Sequence, residues 1–252
     1  MSHPKLEVCA GSWQDCLAAD AGKANRVELN SALSVGGLTP TIQSLKKVKE
    51  DTDLEVICMV RPRAGGFHYD DQEAEIMMLE AQALLDAGAD GIAFGFLKKN
   101  GEVDIINTQV MTDLIHRAGK TAVFHRAFDV TPDPDEAMKT LIEIGIDRVL
   151  TSGQKSKALA GADLIAHLQN AYGDQIQILP GSGVNATNAA QLIEETGVNQ
   201  VHSSCKGYKS DPTTIGNDVS YAYLPEPHQF DYDVVEEKLV RDLREVLDQI
   251  EQ

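Results

Sequence analysis

Gly88-Ala89-Asp90-Gly91-Ile92-Ala93-Phe94-Gly95 reads as two signals joined end to end. The first glycine suits the left-handed turn that stops a helix, and the apolar run behind it has the character of a short strand buried on both faces, as in a parallel sheet. The same junction returns at Gly145-Ile146-Asp147 ahead of Arg148 to Gly153, and at Gly197-Val198-Asn199 ahead of Gln200 to Ser204. Outward from these, β-rich runs at Leu6 to Ala10, Arg26 to Asn30, Glu55 to Arg61, Thr121 to Arg126 and Ile176 to Gly183 bring the strands to eight. Amphipathic segments lie between them and carry helix-start chemistry: Thr39 before Pro40, Asp70 with Glu73, and Asp133 with Pro134 and Glu136. Strand and helix in alternation, with right-handed crossovers, give a parallel sheet, and eight such units in 252 residues predict a single-domain α/β protein, a (β/α)8 TIM barrel over about 6–205. An open doubly wound sheet would carry a Gly-rich turn after its first strand. Only Gly11-Ser12-Trp13 stands there.

Beyond the eighth unit, residues 206–252 form a C-terminal extension. Lys206 to Tyr232 lacks periodicity and is expected over the barrel mouth, and Val234 to Gln252 is predicted to be a final helix with Val235, Leu239, Leu243, Val246, Leu247 and Ile250 on one side. That side suits packing on the barrel's outer layer, with a contact between copies in a homo-oligomer as the alternative.

The 22 Lys and Arg against 39 Asp and Glu leave a net charge of −17. Such a chain is repelled by phosphate backbones and anionic lipid, so nucleic acid and membrane surfaces are not expected partners. No apolar run approaches the ~18 residues of a membrane span, and Met1 to Lys5 lacks signal-peptide features. Cys9, Cys16, Cys58 and Cys205 are widely spaced, which predicts reduced thiols in the cytoplasm.

Chemistry in such a barrel sits at the C-terminal ends of the strands. Side chains alternate along a strand, so Glu7 and Cys9 share a face, as do Arg26, Glu28 and Asn30, and then Ile57, Met59 and Arg61. Placing those charges against the helix layer would cost several kcal/mol each, of the order of ~2–7. They are therefore expected inside, with Cys58 facing the helices. His125, Arg126 and Asp129 end the fifth strand, Ser152 the sixth, and His202, Ser203 and Ser204 the eighth. Together they form a candidate pocket for acid–base chemistry, or a set of charges that only neutralise one another. Gly181-Ser182-Gly183 after the seventh strand, with Ser203 and Ser204, is a candidate anion site. No local metal-ligand spacing is present; Cys9 is the candidate metal ligand, and on parity Met59 shares the interior near the mouth.

The chain also resembles one known family, the copper homeostasis protein CutC. The resemblance rests on Leu6-Glu7-Val8-Cys9, Arg26-Val27-Glu28-Leu29, Gly36-Gly37-Leu38-Thr39-Pro40 and Arg61-Pro62-Arg63-Ala64-Gly65-Gly66-Phe67 with Tyr69. It continues through Phe124-His125-Arg126-Ala127-Phe128-Asp129, Arg148-Val149-Leu150-Thr151-Ser152-Gly153-Gln154-Lys155, Gly181-Ser182-Gly183-Val184 and Val201-His202-Ser203-Ser204. It implies a (β/α)8 barrel, a cytoplasmic location, a part in copper handling and Cu(I) binding through cysteine. Two positions depart from the family pattern. Asn30 stands where members commonly carry a cysteine, and Ala64-Gly65-Gly66-Phe67 where they commonly read Gly-Gly-Asp-Phe. Two functions follow as expectations: Cu(I) binding with Cys9 as ligand, or an enzyme or sensor for a small anionic metabolite, phosphorylated or not, at the barrel mouth. In the second, Arg61 and the Gly181 to Gly183 turn hold the anion while Glu28 or His125 moves a proton.

Overall fold

The computed structural model describes residues 3–250. Its first half runs β1 (Lys5–Ala10), α1 (Trp13–Ala21), β2 (Arg26–Leu29), α2 (Ile42–Asp51), β3 (Glu55–Met59), α3 (Asp71–Asp86), β4 (Gly91–Phe94) and α4 (Ile105–Arg117). The second half runs β5 (Thr121–Phe124), α5 (Pro134–Ile144), β6 (Arg148–Thr151), α6 (Ala162–Tyr172), β7 (Gln177–Pro180), α7 (Ala189–Thr196) and β8 (Gln200–Ser203). Their local causes are those read from the sequence. Gly88 at φ +102° ends the turn after α3, and Gly145 and Gly197 take the same left-handed role after α5 and α7. Asp70 and Glu73 form a capping box on α3, and Asp133 caps α5 with Pro134 in its first turn. One cap differs from expectation: α2 is capped by Thr41, because Thr39 instead accepts the Arg61 N–H and donates to Glu80.

The strands are parallel and ordered β7-β6-β5-β4-β3-β2-β1-β8, a TIM barrel whose remaining seam lies between β7 and β8. At that seam the side chain of Gln200 donates to the Ile178 carbonyl at 3.3 Å, while Ser203 donates to the Val184 carbonyl at 2.6 Å. The large apolar cluster, Cys58 included, lies between sheet and helices, as alternation requires. Inside the barrel Ile57, Met59, Ala93 and Val123 form a second, small cluster. Across from it the interior is polar, filled by Glu7, Arg26, Glu28, Gln200, His202 and Arg148.

The C-terminal extension contains more β-structure than its sequence announces. Lys206–Ser210 and Asp231–Val235 pair antiparallel as β9 and β10, and the last helix, α8 (Glu237–Asp248), starts after Val234 and Val235 rather than on them. Val235 N–H donates to Asp15 in α1, which ties this ribbon to the barrel, and Lys206 pairs with Asp233 across the ribbon at 3.0 Å. Val240, Leu243 and Leu247 bury the inner side of α8; Leu239 stays exposed.

Among interior groups the Arg26–Glu7 ion pair is the most deeply enclosed, with side chains 0% and 2% exposed. Breaking one side of a buried pair leaves an uncompensated charge and costs about 3–5 kcal/mol. Arg26→Met is therefore expected to lower unfolding free energy by that amount in urea titrations, and Arg26→Met with Glu7→Gln to recover part of it.

Candidate functional site

The β1–β2 and β1–β8 registers set Cys9 beside Glu28 and Glu7 beside both Arg26 and His202. Two polar layers follow. In the lower one, Arg26 holds Glu7 and donates to Gln200 at 2.6 Å, while Arg148 Nη1 stands 3.7 Å from Glu7. In the upper one, the donor atoms of Cys9, Glu28 and His202 all lie within 4.8 Å of one another. Glu7 links the layers by accepting from His202 Nδ1 at 2.7 Å. Nε2 of that ring is thereby left to face Cys9 and Glu28.

Electrostatics differ sharply between these groups. Burial alone would raise the Glu7 carboxyl, but Arg26 and His202 hold it well below the usual carboxylate range. Burial would lower His202, yet hydrogen bonds to Cys9 and Glu7 and the nearby carboxylates push it well above its ordinary value. Burial raises both Glu28 and the Cys9 thiol, the latter helped by the carboxyl of Glu28 beside it. Asn30 Nδ2 approaches Cys9 Sγ at 3.7 Å and Glu28 Oε2 at 3.0 Å, so position 30 does face Cys9 as strand parity predicts.

The mouth above these groups is a cavity of about 680 Å³. Cys9, Glu28, Arg61, His125, Arg126, Asp129, Ser182, Gly183, His202 and Ser204 all border it, together with Met59. Several of them are already engaged. Asp129 accepts from Arg126, Thr151, the Ser152 N–H and hydroxyl, and the Gln154 N–H, so it organises the loop after β6. Ser152 is fully buried, its hydroxyl proton shared between Asp129 and the Lys155 carbonyl. Arg61 gives its Nη atoms to the carbonyls of Val35, Gly37 and Gly65, tying three loop positions together rather than standing free for an anion. Ser203 is turned toward the Val184 carbonyl, and Gly181 backs onto Leu150 and His202. Neither borders the cavity.

His125 is seated by its neighbours. A Cβ on Gly95 would lie 2.6 Å from its Cε1, so the glycine closing the opening sequence stretch makes room for the ring. Nδ1 accepts from the Ala127 N–H at 3.1 Å, which places the proton of the neutral ring on Nε2. Burial and the Arg61 guanidinium lower its pKa to about 3.

Lys206, the first residue of the segment expected over the mouth, does border it. Lys157, Asp233 and Phe67 border it too, and sequence reasoning does not assign them to it. Lys157 follows a loop in which strand periodicity has ended, and Asp233 arrives through the ribbon.

A profile of the CutC family matches residues 4–207. The chain is 46% identical over 221 residues to a family protein CutC of Treponema denticola, covering 88% of this chain and 89% of that one. It is 39% identical over 230 residues to one of Bacteroides thetaiotaomicron, covering 87% and 90%. A crystal structure named as a copper homeostasis protein CutC, from Streptococcus agalactiae, superimposes with a TM-score of 0.75 at 30% identity, over 80% of this chain and 98% of that one. The 3-keto-L-gulonate-6-phosphate decarboxylase of Vibrio cholerae reaches 0.61 at 11% identity over 100% of both chains, a likeness of fold alone. No helix among the described residues is long and apolar enough to cross a membrane.

The two histidines carry opposite pH signatures. Between pH 6.5 and about 3 the unfolded chain protonates residue His125 while the folded chain does not, so this group's contribution falls as pH drops through that window. His202 keeps its proton above pH 6.5 in the fold, so its contribution is complete below 6.5 and is lost as pH rises through the folded value. NMR titration of the metal-free protein should find the His125 ring unchanged from about pH 8 to 4. The His202 ring should still be protonated at about pH 7, and Glu7→Gln should lower its pKa by at least about one unit.

Proposed function

Because the chain belongs to the CutC family, we propose that it serves copper homeostasis in the cytoplasm by binding one Cu(I) ion at the barrel mouth. Cys9 and His202 are the ligands in this reading, with Glu28 as a third donor. The observation that carries it is the convergence of these three donors within 4.8 Å at the base of an open cavity. Thiolate selects soft metals and imidazole suits copper and zinc, so the donor set fits the ion. The Glu7 carboxylate on Nδ1 fixes the ring with Nε2 outward, the usual arrangement behind a metal-binding imidazole.

Asn30 accounts for a weaker site than a two-cysteine one. Its amide stands 3.7 Å from Cys9 Sγ, where a second thiolate would complete a softer pair. Protons also oppose the metal, because Cys9 is held as a thiol and His202 as an imidazolium. Both must be released on binding.

Anaerobic Cu(I) titration against a competing chelator tests this. One equivalent should bind, Cys9→Ser should weaken it by about 100-fold, and Asn30→Cys should tighten it by at least tenfold, a 1.4 kcal/mol effect. Affinity should rise with pH by up to about a hundredfold per unit while both protons remain to be displaced. Equal, weak affinity in the native chain and Cys9→Ser would remove the reading.

A further inference from the structure

Copper binding leaves two buried donors at the mouth unused. His125, 3% exposed, has its Nδ1 occupied by the Ala127 N–H, and its Nε2–H has no acceptor. Arg61, 6% exposed, has both Nη atoms on loop carbonyls, and its Nε–H has no acceptor. The ring of Phe67 lies against both, 4.9 Å from the imidazole and 5.2 Å from the guanidinium, and all three residues border the cavity. An unmet buried donor costs about 1–3 kcal/mol. Arg61 has the buried Tyr69 hydroxyl close to its guanidinium, whereas the His125 Nε2–H beside the cavity calls for an oxygen acceptor supplied from outside the chain.

The charge around the mouth points the same way. Arg126 and Lys206 are answered by Asp129 and Asp233, whereas Arg61 and Lys157 have no carboxylate partner among the described residues. Lys157 is held in place. The Ala158 N–H donates to the Ser182 carbonyl at 2.9 Å and Ser182 donates to the Ser156 carbonyl at 2.8 Å. Its aliphatic stem then lies so close to Gly183, at φ +75°, that a Cβ there would be 2.6 Å from Lys157 Cδ. A protein of net charge −17 thus turns two unanswered cations toward its barrel mouth, where low-dielectric walls concentrate their field. The Ser182-Gly183 turn occupies the position after the seventh strand at which barrels of this architecture commonly hold phosphate, and Lys157 lies against it from the loop after the sixth. A cavity of about 680 Å³ has room for a small organic molecule and not merely an ion.

We infer that the barrel mouth binds a small organic anion, with its phosphate or carboxylate at Lys157 and the Ser182-Gly183 turn and a second oxygen accepting a hydrogen bond from His125 Nε2. His125 serves here as a donor rather than a base. The site is separate from the sulfur-containing donor set, so the ligand binds with or without metal.

The full-length, metal-free protein is titrated by calorimetry at fixed ionic strength with 2-phosphoglycolate, glycerol 3-phosphate, malonate and inorganic phosphate. Saturable binding of at least one organic anion is expected, at least tenfold tighter than inorganic phosphate. Preference for glycerol 3-phosphate over malonate identifies a phosphate ligand, and the reverse a carboxylate. Lys157→Ala, at an exposed position, should weaken that anion at least tenfold, and His125→Phe should reduce its affinity to that of inorganic phosphate. In the native chain the His125 Nε2–H resonance should move on saturation, a readout that does not depend on the variant folding. Cys9→Ser should bind the anion within twofold of native, which separates this site's failure from failure of the copper reading. No saturable binding of any probe overturns the inference, as does binding within twofold of native in Lys157→Ala or an unmoved His125 resonance.

Discussion

The ion pair between Glu7 and Arg26 is the constraint on which the barrel interior depends. Both side chains are enclosed by protein, where a lone charge would be shifted to its neutral form rather than tolerated. Arg26 keeps the carboxylate ionised, and the carboxylate in turn holds Nδ1 of His202. Gln200 continues the chain of contacts from Arg26 to the Ile178 carbonyl at the barrel seam. One charged pair therefore supports both the closure of the sheet and the orientation of a ring one layer nearer to solvent. Well-packed apolar side chains could fill the same volume at no loss of stability. They could not present Nε2 to Cys9 and Glu28.

The interior is divided lengthwise. On β3, β4 and β5 it is lined by Ile57, Met59, Ala93 and Val123, a packed wall with little freedom to rearrange. On β1, β2 and β8 it is lined by titratable groups whose affinities for protons depend on one another. At the mouth the apolar wall ends in His125 and Arg61, braced against Phe67, while the polar side ends in Cys9 and Glu28. Two kinds of ligand chemistry, soft donors and hydrogen-bond donors, consequently face each other across one opening.

Fold and inner layer were legible because the signals behind them are local. Glycine junctions at 88, 145 and 197 mark helix ends by backbone conformation alone, and alternation along a strand needs no knowledge of the partner strand. It put Glu7, Cys9, Arg26 and Glu28 inside, and Asn30 opposite Cys9. What the sequence does not show lies where partners are distant in sequence or sit in loops. Arg61 was read as an anion ligand, but its partners are carbonyls at 35, 37 and 65, and no periodicity connects those positions. Asp129 and Ser152 looked like chemistry, yet they complete each other's hydrogen bonds. Val234 and Val235 looked helical because they precede a strong amphipathic pattern. Their pairing with Lys206 and Gly207 belongs to a ribbon whose two strands are separated by an irregular loop.

The order in which the upper layer enters the chain has a consequence during synthesis. Cys9 and Glu28 emerge from the ribosome within the first two strands, whereas His202 arrives in the last strand of the barrel, and β8 pairs directly with β1. Until that strand docks, a nascent chain holds a thiol and a carboxyl but no third donor beside them. The constellation therefore comes into being at ring closure, and an incomplete translation product lacks it.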